Sequence, residues 1–303
     1  MGQPLDNAKA AFYGRFVLGA YAMHDRDCAN LTPEPQAGDI PDPYELFAWI
    51  HMCDFAFGVC EPKFYGMVAQ NKNAAGDFIL AIRGTEGCVE WWDDASAYMV
   101  PFSEVPHAGR VAHGFDKIYS TLKLVPHPTL QTDPEDKMAA LPPLRLEGSL
   151  LDQLDQLHSR VEQHRAMKLS PKEAAAPQRS YVVTGHSLGS ALSTLFVMEN
   201  KQKHKVNIST LCTFASPRVG NMLFARLFNQ LPINSWRIAN CCDIVPKLPL
   251  RIPLILDYEH VNTEYRFDSS AMGVQSNPVC RHSMATHLHW LDPSFPIDAG
   301  CKR

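Results

Sequence analysis

The feature that most restricts the fold is the pentapeptide Gly185-His186-Ser187-Leu188-Gly189. It lies between an apolar run, Tyr181-Val182-Val183-Thr184, and a second apolar stretch over 188–200. A glycine-x-serine-x-glycine turn joining a buried strand to a helix strains the serine backbone and lifts its hydroxyl above the sheet. The flanking glycines let strand and helix approach closely, and the small Ser190 and Ala191 ease the same contact. The bare pattern is short and arises by chance in many chains; its setting gives it weight. A serine hydroxyl is a weak nucleophile, so the turn implies an imidazole base and a carboxylate that orients it. His186 adjoins the serine and is expected to point away from it, into the flank of the sheet.

From this turn onward strand and helix alternate: strand 181–184, helix 188–200, strand 208–214, helix 222–230 and strand 236–239. Such alternation implies a mainly parallel sheet covered by helices on both faces, an α/β architecture. Upstream, 44–57 reads as an apolar and aromatic helix, 64–69 as a strand, 71–76 as a turn and 78–82 as a buried strand running into Arg83-Gly84-Thr85. His113-Gly114-Phe115 opens a helix through Leu122, and 149–164 is helical, with Leu150, Leu151, Leu154, Leu157 and Val161 on one face. The Pro-rich stretch 125–146 is longer than most connections and suggests a surface excursion or part of a cap.

Near the start, Phe12, Phe16, Gly19, Ala20 and Met23 recur at helical spacing. Because Gly14, Arg15 and Gly19 interrupt 10–23, this reads as a helix packed on the domain rather than a leader. No apolar run reaches the roughly 18–20 residues of a membrane span. The formal net charge of -4 has no Lys/Arg cluster behind it, which argues against a nucleic-acid partner. The 9 cysteines are scattered, and Cys53 and Cys60 are too far apart for a zinc knuckle. Reduced thiols in a cytoplasm are the simpler expectation, with secretion the alternative. A single domain over 1–303 is expected.

The carboxylate should follow the serine, past the end of a later strand. Asp243 lies just beyond the strand-like 235–240 and precedes an apolar Ile244-Val245-Pro246 that can shield it; Asp257 and Asp268 are its rivals. The histidine should come last. Of His260, His282, His287 and His289, His282 stands at the entry to a helix striped by Met284, Leu288 and Leu291, where a ring can swing over the serine. His287, inside that helix, is second, and His260 falls in an alternating, strand-like segment.

Five segments in order now resemble the class 3 lipases, the fungal-lipase-like family of α/β-hydrolases. They are Ile82-Arg83-Gly84-Thr85 with Trp91, His113-Gly114-Phe115, Thr184 to Gly189, Phe214-Ala215-Ser216-Pro217-Arg218-Val219-Gly220-Asn221, and Arg237-Ile238-Ala239-Asn240 up to Pro246. The resemblance implies the α/β-hydrolase fold, with a mostly parallel central sheet, flanking helices and a short lid segment. It implies a lipase or carboxylesterase with Ser187, Asp243 and His282 as triad, and no metal or organic cofactor. Thr85 takes the place of the family's oxyanion-hole Ser/Thr, and Leu188 supplies a second backbone N–H. The segment 86–100 falls at the lid, where Trp91 and Trp92 are either part of a mobile cover over the acyl groove or of a fixed, core-packed helix. The expected partner is an acyl-ester or lipid substrate, with transient contact at a lipid interface. Phospholipase A1 or feruloyl esterase activity, or a non-catalytic relative that only binds, are the alternatives. Ala215, Ser190 and Asn262 stand where the family usually or often has glycine, and His287 where tyrosine is common.

Overall fold

The computed structural model describes residues 4–54, 60–85, 98–130, 144–168, 178–251 and 256–303. Helix α1 (Asn7–Arg26) is followed by strands β1 (Tyr44–Asp54), β2 (Glu61–Asn71), β3 (Ala74–Ile82), β4 (Met99–Pro101) and β5 (Arg110–Ala112). Next come α2 (His113–Tyr119), β6 (Lys123–Pro126), α3 (Leu150–Lys168), β7 (Ser180–His186), α4 (Leu188–Lys203) and β8 (Asn207–Phe214). The chain then forms β9 (Gly220–Asn221), α5 (Met222–Phe228), β10 (Asn234–Asn240), β11 (Tyr258–Glu259), β12 (Thr263–Phe267), α6 (Pro278–His282) and α7 (Met284–Leu291).

The large sheet has the order β12-β10-β8-β7-β3-β2-β1-β6, and a small one has the order β11-β9-β5-β4. In the large sheet, the pairs from β12 across to β3 are parallel. Those from β3 to β6 are antiparallel. The sheet is therefore mixed, with its parallel half built by β3 and the alternating strands and helices of the second half of the chain.

One sequence expectation is corrected here. Residues 44–54 form the long strand β1, not the first part of a helix, paired on one edge to β2 and on the other to β6. The reason is burial on both faces: Phe47, Ile50 and Met52 enter one core, while Leu46 and Trp49 enter the other. A strand buried on both sides is continuously apolar, and its length and aromatic content then resemble those of a buried helix segment. The remainder of the expected helix, 55–57, lies outside the described residues.

Those two cores flank the sheet. One packs α2, α3 and α4 through residues such as Phe115, Leu154 and Leu195, with Phe78 and Val183 from the sheet. The other packs α1 and α7, through Phe16, Ala20 and Leu288, against Phe64, Ile79 and Phe214. Helix α1 begins at Asp6, whose carboxylate accepts from the Lys9 backbone N–H at 3.0 Å, satisfying one of the otherwise orphaned amides of the first turn. Its Gly19 lies hard against the loop that follows, since a Cβ there would stand 1.8 Å from the Asp39 carbonyl oxygen. Gly14 and Gly19, which interrupt 10–23, are thus contact points of a packed helix. Among the described residues, no helix is long and apolar enough to cross a membrane.

The expectation of reduced thiols throughout is also corrected. Cys53 pairs with Cys60 and Cys280 with Cys301, leaving Cys28, Cys212, Cys241 and Cys242 as thiols among the described residues. The second bridge ties the segment around Cys301 to α6, where Cys280 and Cys301 share a small apolar cluster with Val274 and Ile297. It closes a loop with a sequence separation of 21, a length for which chain entropy gives about 3 kcal/mol of stabilisation. The double variant Cys280→Ser, Cys301→Ser should therefore unfold at lower urea concentration, with a loss of about 3 kcal/mol in an equilibrium denaturation series. An unchanged midpoint would show that the bridge does not constrain the unfolded chain.

Candidate active site

The strand ends β3, β7 and β10 converge on one edge of the sheet, the usual position of a site in an open α/β fold. Strand β7 ends in the motif, and Ser187 turns the chain with φ 56° and ψ -126°, a positive φ that costs a non-glycine residue about 1–3 kcal/mol. The strain is held by what surrounds it. The Ser187 N–H donates to the Phe214 carbonyl at 3.0 Å, and Ser190 Oγ donates to the carbonyls of Gly185 and Phe214 at 2.7 and 2.9 Å. At Gly189 a Cβ would lie 2.2 Å from the Ile82 carbonyl oxygen and 2.5 Å from that of Arg83. Only a bare Cα lets the first turn of α4 sit on the end of β3. Ser190, where glycine is usual, is accommodated because its hydroxyl finds two acceptors. Ala215 and Asn262 both have positive φ, 49° and 67°, which explains the glycine usual or frequent at those places.

Asp243 and His282 meet: His282 Nδ1 lies 2.6 Å from Asp243 Oδ2, with both residues buried. The other carboxylate oxygen, Oδ1, accepts from the Val245 N–H at 3.0 Å, which fixes the carboxylate plane. The Asp243 N–H itself closes a turn onto the Asn240 carbonyl at 3.1 Å. The ring of His282 lies 4.5 Å, centroid to centroid, from that of His186, the neighbour of Ser187.

The rivals are engaged elsewhere. Asp268 is exposed and accepts from Ser270 and Cys242. His287 Nδ1 sits 3.0 Å from the Ser283 carbonyl, and His260 Nε2 sits 2.7 Å from the Pro246 carbonyl. His287 takes the usual tyrosine's place with its ring edge-on to Phe214 and Phe267.

Arg83-Gly84-Thr85 runs directly beside the serine. A Cβ on Gly84 would come 2.8 Å from Ser187 Cβ, so this backbone touches the motif turn. Arg83 is buried beneath it: its guanidinium donates to the Phe64 carbonyl from two nitrogens, at 2.9 and 3.1 Å, and to the Gly84 carbonyl at 2.8 Å. The same group stacks 4.3 Å above the Tyr65 ring. Thr85 follows, half-buried. Leu188 is the first residue of α4, where backbone amides have no intrahelical carbonyl to bind and the helix dipole favours negative charge. Trp91 and Trp92 lie outside the described residues, as does most of the expected lid segment.

A third contributor arrives from α1. Tyr21 Oη accepts from the Gly84 N–H at 2.7 Å and lies 2.8 Å from His186 Nδ1. His186 Nε2 lies 2.8 Å from the His282 carbonyl oxygen. A carbonyl only accepts, so His186 carries its proton on Nε2 and its Nδ1 accepts a hydrogen bond from the Tyr21 hydroxyl. One chain of donors thus links the loop at Gly84 to the backbone of His282. Burial, followed by the neighbouring His282 and His287, holds His186 well below the usual imidazole range, consistent with a neutral ring in this chain.

Residues 79–252 match the family Lipase (class 3), and the chain belongs to that family. A rice protein (Oryza sativa subsp. indica), phospholipase A1-II 1, is 28% identical over 284 residues, covering 87% of this chain and 62% of its own. This chain therefore spans less than two thirds of that relative's length. A secreted mono- and diacylglycerol lipase A from Penicillium cyclopium is 41% identical over 96 residues, covering 31% of this chain and 30% of its own. The solved triacylglyceride lipase of Rhizomucor miehei superposes with a TM-score of 0.55 at 20% identity, over 88% of this chain and 81% of that one. The fold is the α/β-hydrolase fold.

Two measurements test this construction. Tyr21→Phe removes the oxygen between Gly84 and His186 and leaves a buried donor and a buried acceptor unmatched; we expect a loss of about 1–3 kcal/mol in urea unfolding. A change under about 0.5 kcal/mol would show that the oxygen bridges nothing of consequence. Burial also lowers His158 and His260 to about 3 and His287 to about 4, from an ordinary 6.5. Below pH 6.5 the unfolded chain takes up protons that the folded chain refuses, so stability present above 6.5 drains away as pH falls toward 4 and then 3. Urea midpoints should accordingly drop between pH 7 and pH 5. Equal midpoints at the two values would contradict neutral burial of these rings.

Proposed function

We propose that the chain acts as one serine carboxylic-ester hydrolase on acylglycerols or simpler acyl esters, through an acyl-enzyme. Ser187 Oγ attacks the ester carbonyl while His282 takes its proton. The tetrahedral intermediate collapses as His282 returns that proton to the leaving alcohol, and water repeats the route on the acyl-serine. Asp243 keeps the imidazole in the tautomer with its proton on Nδ1 and balances the charge it acquires. Backbone N–H groups of Thr85 and Leu188 face the developing oxyanion, an arrangement in which one donor contributes roughly 3–4 kcal/mol to transition-state binding. The carrying observation is the buried 2.6 Å contact between Asp243 and His282, on the same sheet edge as a serine held at positive φ.

Phospholipase A1 activity is the second reading, favoured because the rice relative carries that name and aligns with most of this chain. An oxidising compartment, and hence secretion, fits two disulfides and a fungal relative described as secreted.

Hydrolysis of p-nitrophenyl esters from short to long acyl chains, beside phosphatidylcholine and monoacylglycerol, tests both readings. Ser187→Ala and His282→Ala should each lower kcat by about a thousandfold or more, and the double variant should fall little further, since the groups act as a unit. Full turnover by folded Ser187→Ala would remove the nucleophile. Release of fatty acid from phosphatidylcholine in preference to monoacylglycerol would select the phospholipase.

A further inference from the structure

Immediately before Asp243 stand two adjacent thiols that the hydrolytic reading does not use. Cys241 Sγ and Cys242 Sγ are 3.8 Å apart, and Cys242 Sγ lies 3.2 Å from Asp268 Oδ1. All three ligand atoms lie within 4.8 Å of one another. Two thiolates on one tetrahedral zinc ion, each with a bond of about 2.3 Å, are separated by about 3.8 Å. A carboxylate oxygen at about 2.1 Å on the same ion stands about 3.6 Å from each sulfur. The sulfur pair already has the required spacing, and Asp268 Oδ1 stands within about 0.4 Å of the required distance from Cys242 Sγ.

We propose that Cys241, Cys242 and Asp268 form a binding site for a soft divalent cation such as Zn2+, and that its occupancy restrains hydrolysis through Asp243. The second half rests on the hydrolase reading above; the first does not. Binding exchanges two thiol protons, released to solvent, for two metal–sulfur bonds, while Asp268 binds as the carboxylate it already is. Asp268 Oδ1 is oriented by the Ser270 N–H and hydroxyl, which donate to it at 2.8 and 2.5 Å. Solvent completes the tetrahedron on the open side.

The scaffold joins this site to the catalytic turn. The Cys241 N–H donates to the Phe267 carbonyl at 2.8 Å, which docks the dithiol against the end of β12 beside Asp268. Asn240 Oδ1 accepts from the N–H groups of Cys242 and Ser269, each at 3.2 Å. Its Nδ2 donates to Ser269 Oγ and to the Arg281 carbonyl, each at 2.8 Å, and Arg281 precedes His282. A cation drawing Cys242 and Asp268 around itself therefore pulls on the peptide leading into Asp243 and on the amide that steadies the approach to His282. Displacements below 1 Å in such groups are enough to change turnover severalfold or more. The other acidic cluster, Glu104, Asp152 and Glu199, is different in kind: Lys203 Nζ already sits among its carboxylates at 3.0, 2.7 and 2.5 Å and supplies the positive charge.

Cadmium titration reads binding without reference to activity, because Cd2+–thiolate bonds absorb in the near ultraviolet. The full-length protein should give a charge-transfer band saturating at one Cd2+ per chain, with two protons released per ion. The band should persist in Ser187→Ala and Cys28→Ser and vanish in Cys242→Ser, whose hydroxyl can still donate to Asp268. Zn2+ should lower p-nitrophenyl ester turnover at least threefold in the parent and have no such effect in Cys242→Ser. Absence of the band, or its survival in Cys242→Ser, overturns the site. A band with unchanged turnover, or zinc inhibition equally strong in Cys242→Ser, overturns the coupling. A band in a protein inactive toward every ester would instead indict the hydrolase reading and leave the metal site standing.

Discussion

Everything at the site depends on how closely helix α4 approaches the end of strand β3. The Gly189 Cα rests where any side chain would enter the carbonyls of Ile82 and Arg83, and this contact fixes the separation of helix and sheet. A strand that must turn into a helix within that gap has room for only one residue between them. Ser187 is that residue, and its positive φ follows from the gap rather than from anything in serine itself. The strain persists because surrounding contacts over-determine the turn, notably the bond from the Ser187 N–H to the Phe214 carbonyl. Gly84 lies beside the same turn, so the loop after β3 and the serine are positioned by one packing event.

The parallel half of the sheet was legible in the sequence because its strands are short, apolar and separated by helices of clear period. In the antiparallel half, β2 and its turn into β3 were legible too, but β1 was not. Strand β1 feeds both cores, and a segment without a polar face carries no period to read. Its pairing partners, β2 and β6, are set by tertiary contact. The cysteine pairs were illegible for a similar reason: Cys280 and Cys301 meet only because the chain after α7 folds back to leave Val274 opposite Lys302.

At the site, the motif around Ser187 was readable because backbone sterics dictate which residues can occupy it. Asp243 and His282 were narrowed by order along the chain, and their contact distinguishes them from Asp268 and His287, whose partners are local or structural. Tyr21 gave no such signal. It lies 63 residues before Gly84 and 165 before His186, on a helix whose pattern reports only that it packs. The substitutions at Ala215 and Asn262 were visible as departures from a glycine habit, and the positive φ at each supplies the reason for that habit.

The region matching the family, 79–252, holds Ser187 and Asp243 but stops short of His282 and begins long after Tyr21. The working edge of the sheet is therefore closed by two helical segments that the shared region does not contain, α1 and α6. They sit against one another's neighbours: Gly14 of α1 rests on Met284 and Leu288 of α7, the helix that begins two residues after α6 ends. A fragment trimmed to the shared region would keep the serine and the carboxylate and lose the imidazole together with the phenol that steadies its neighbour. It would also bare the entire apolar face that Phe16, Ala20 and Leu288 now cover. The rice relative aligns over 87% of this chain, so the likeness reaches beyond the family match and into these flanks.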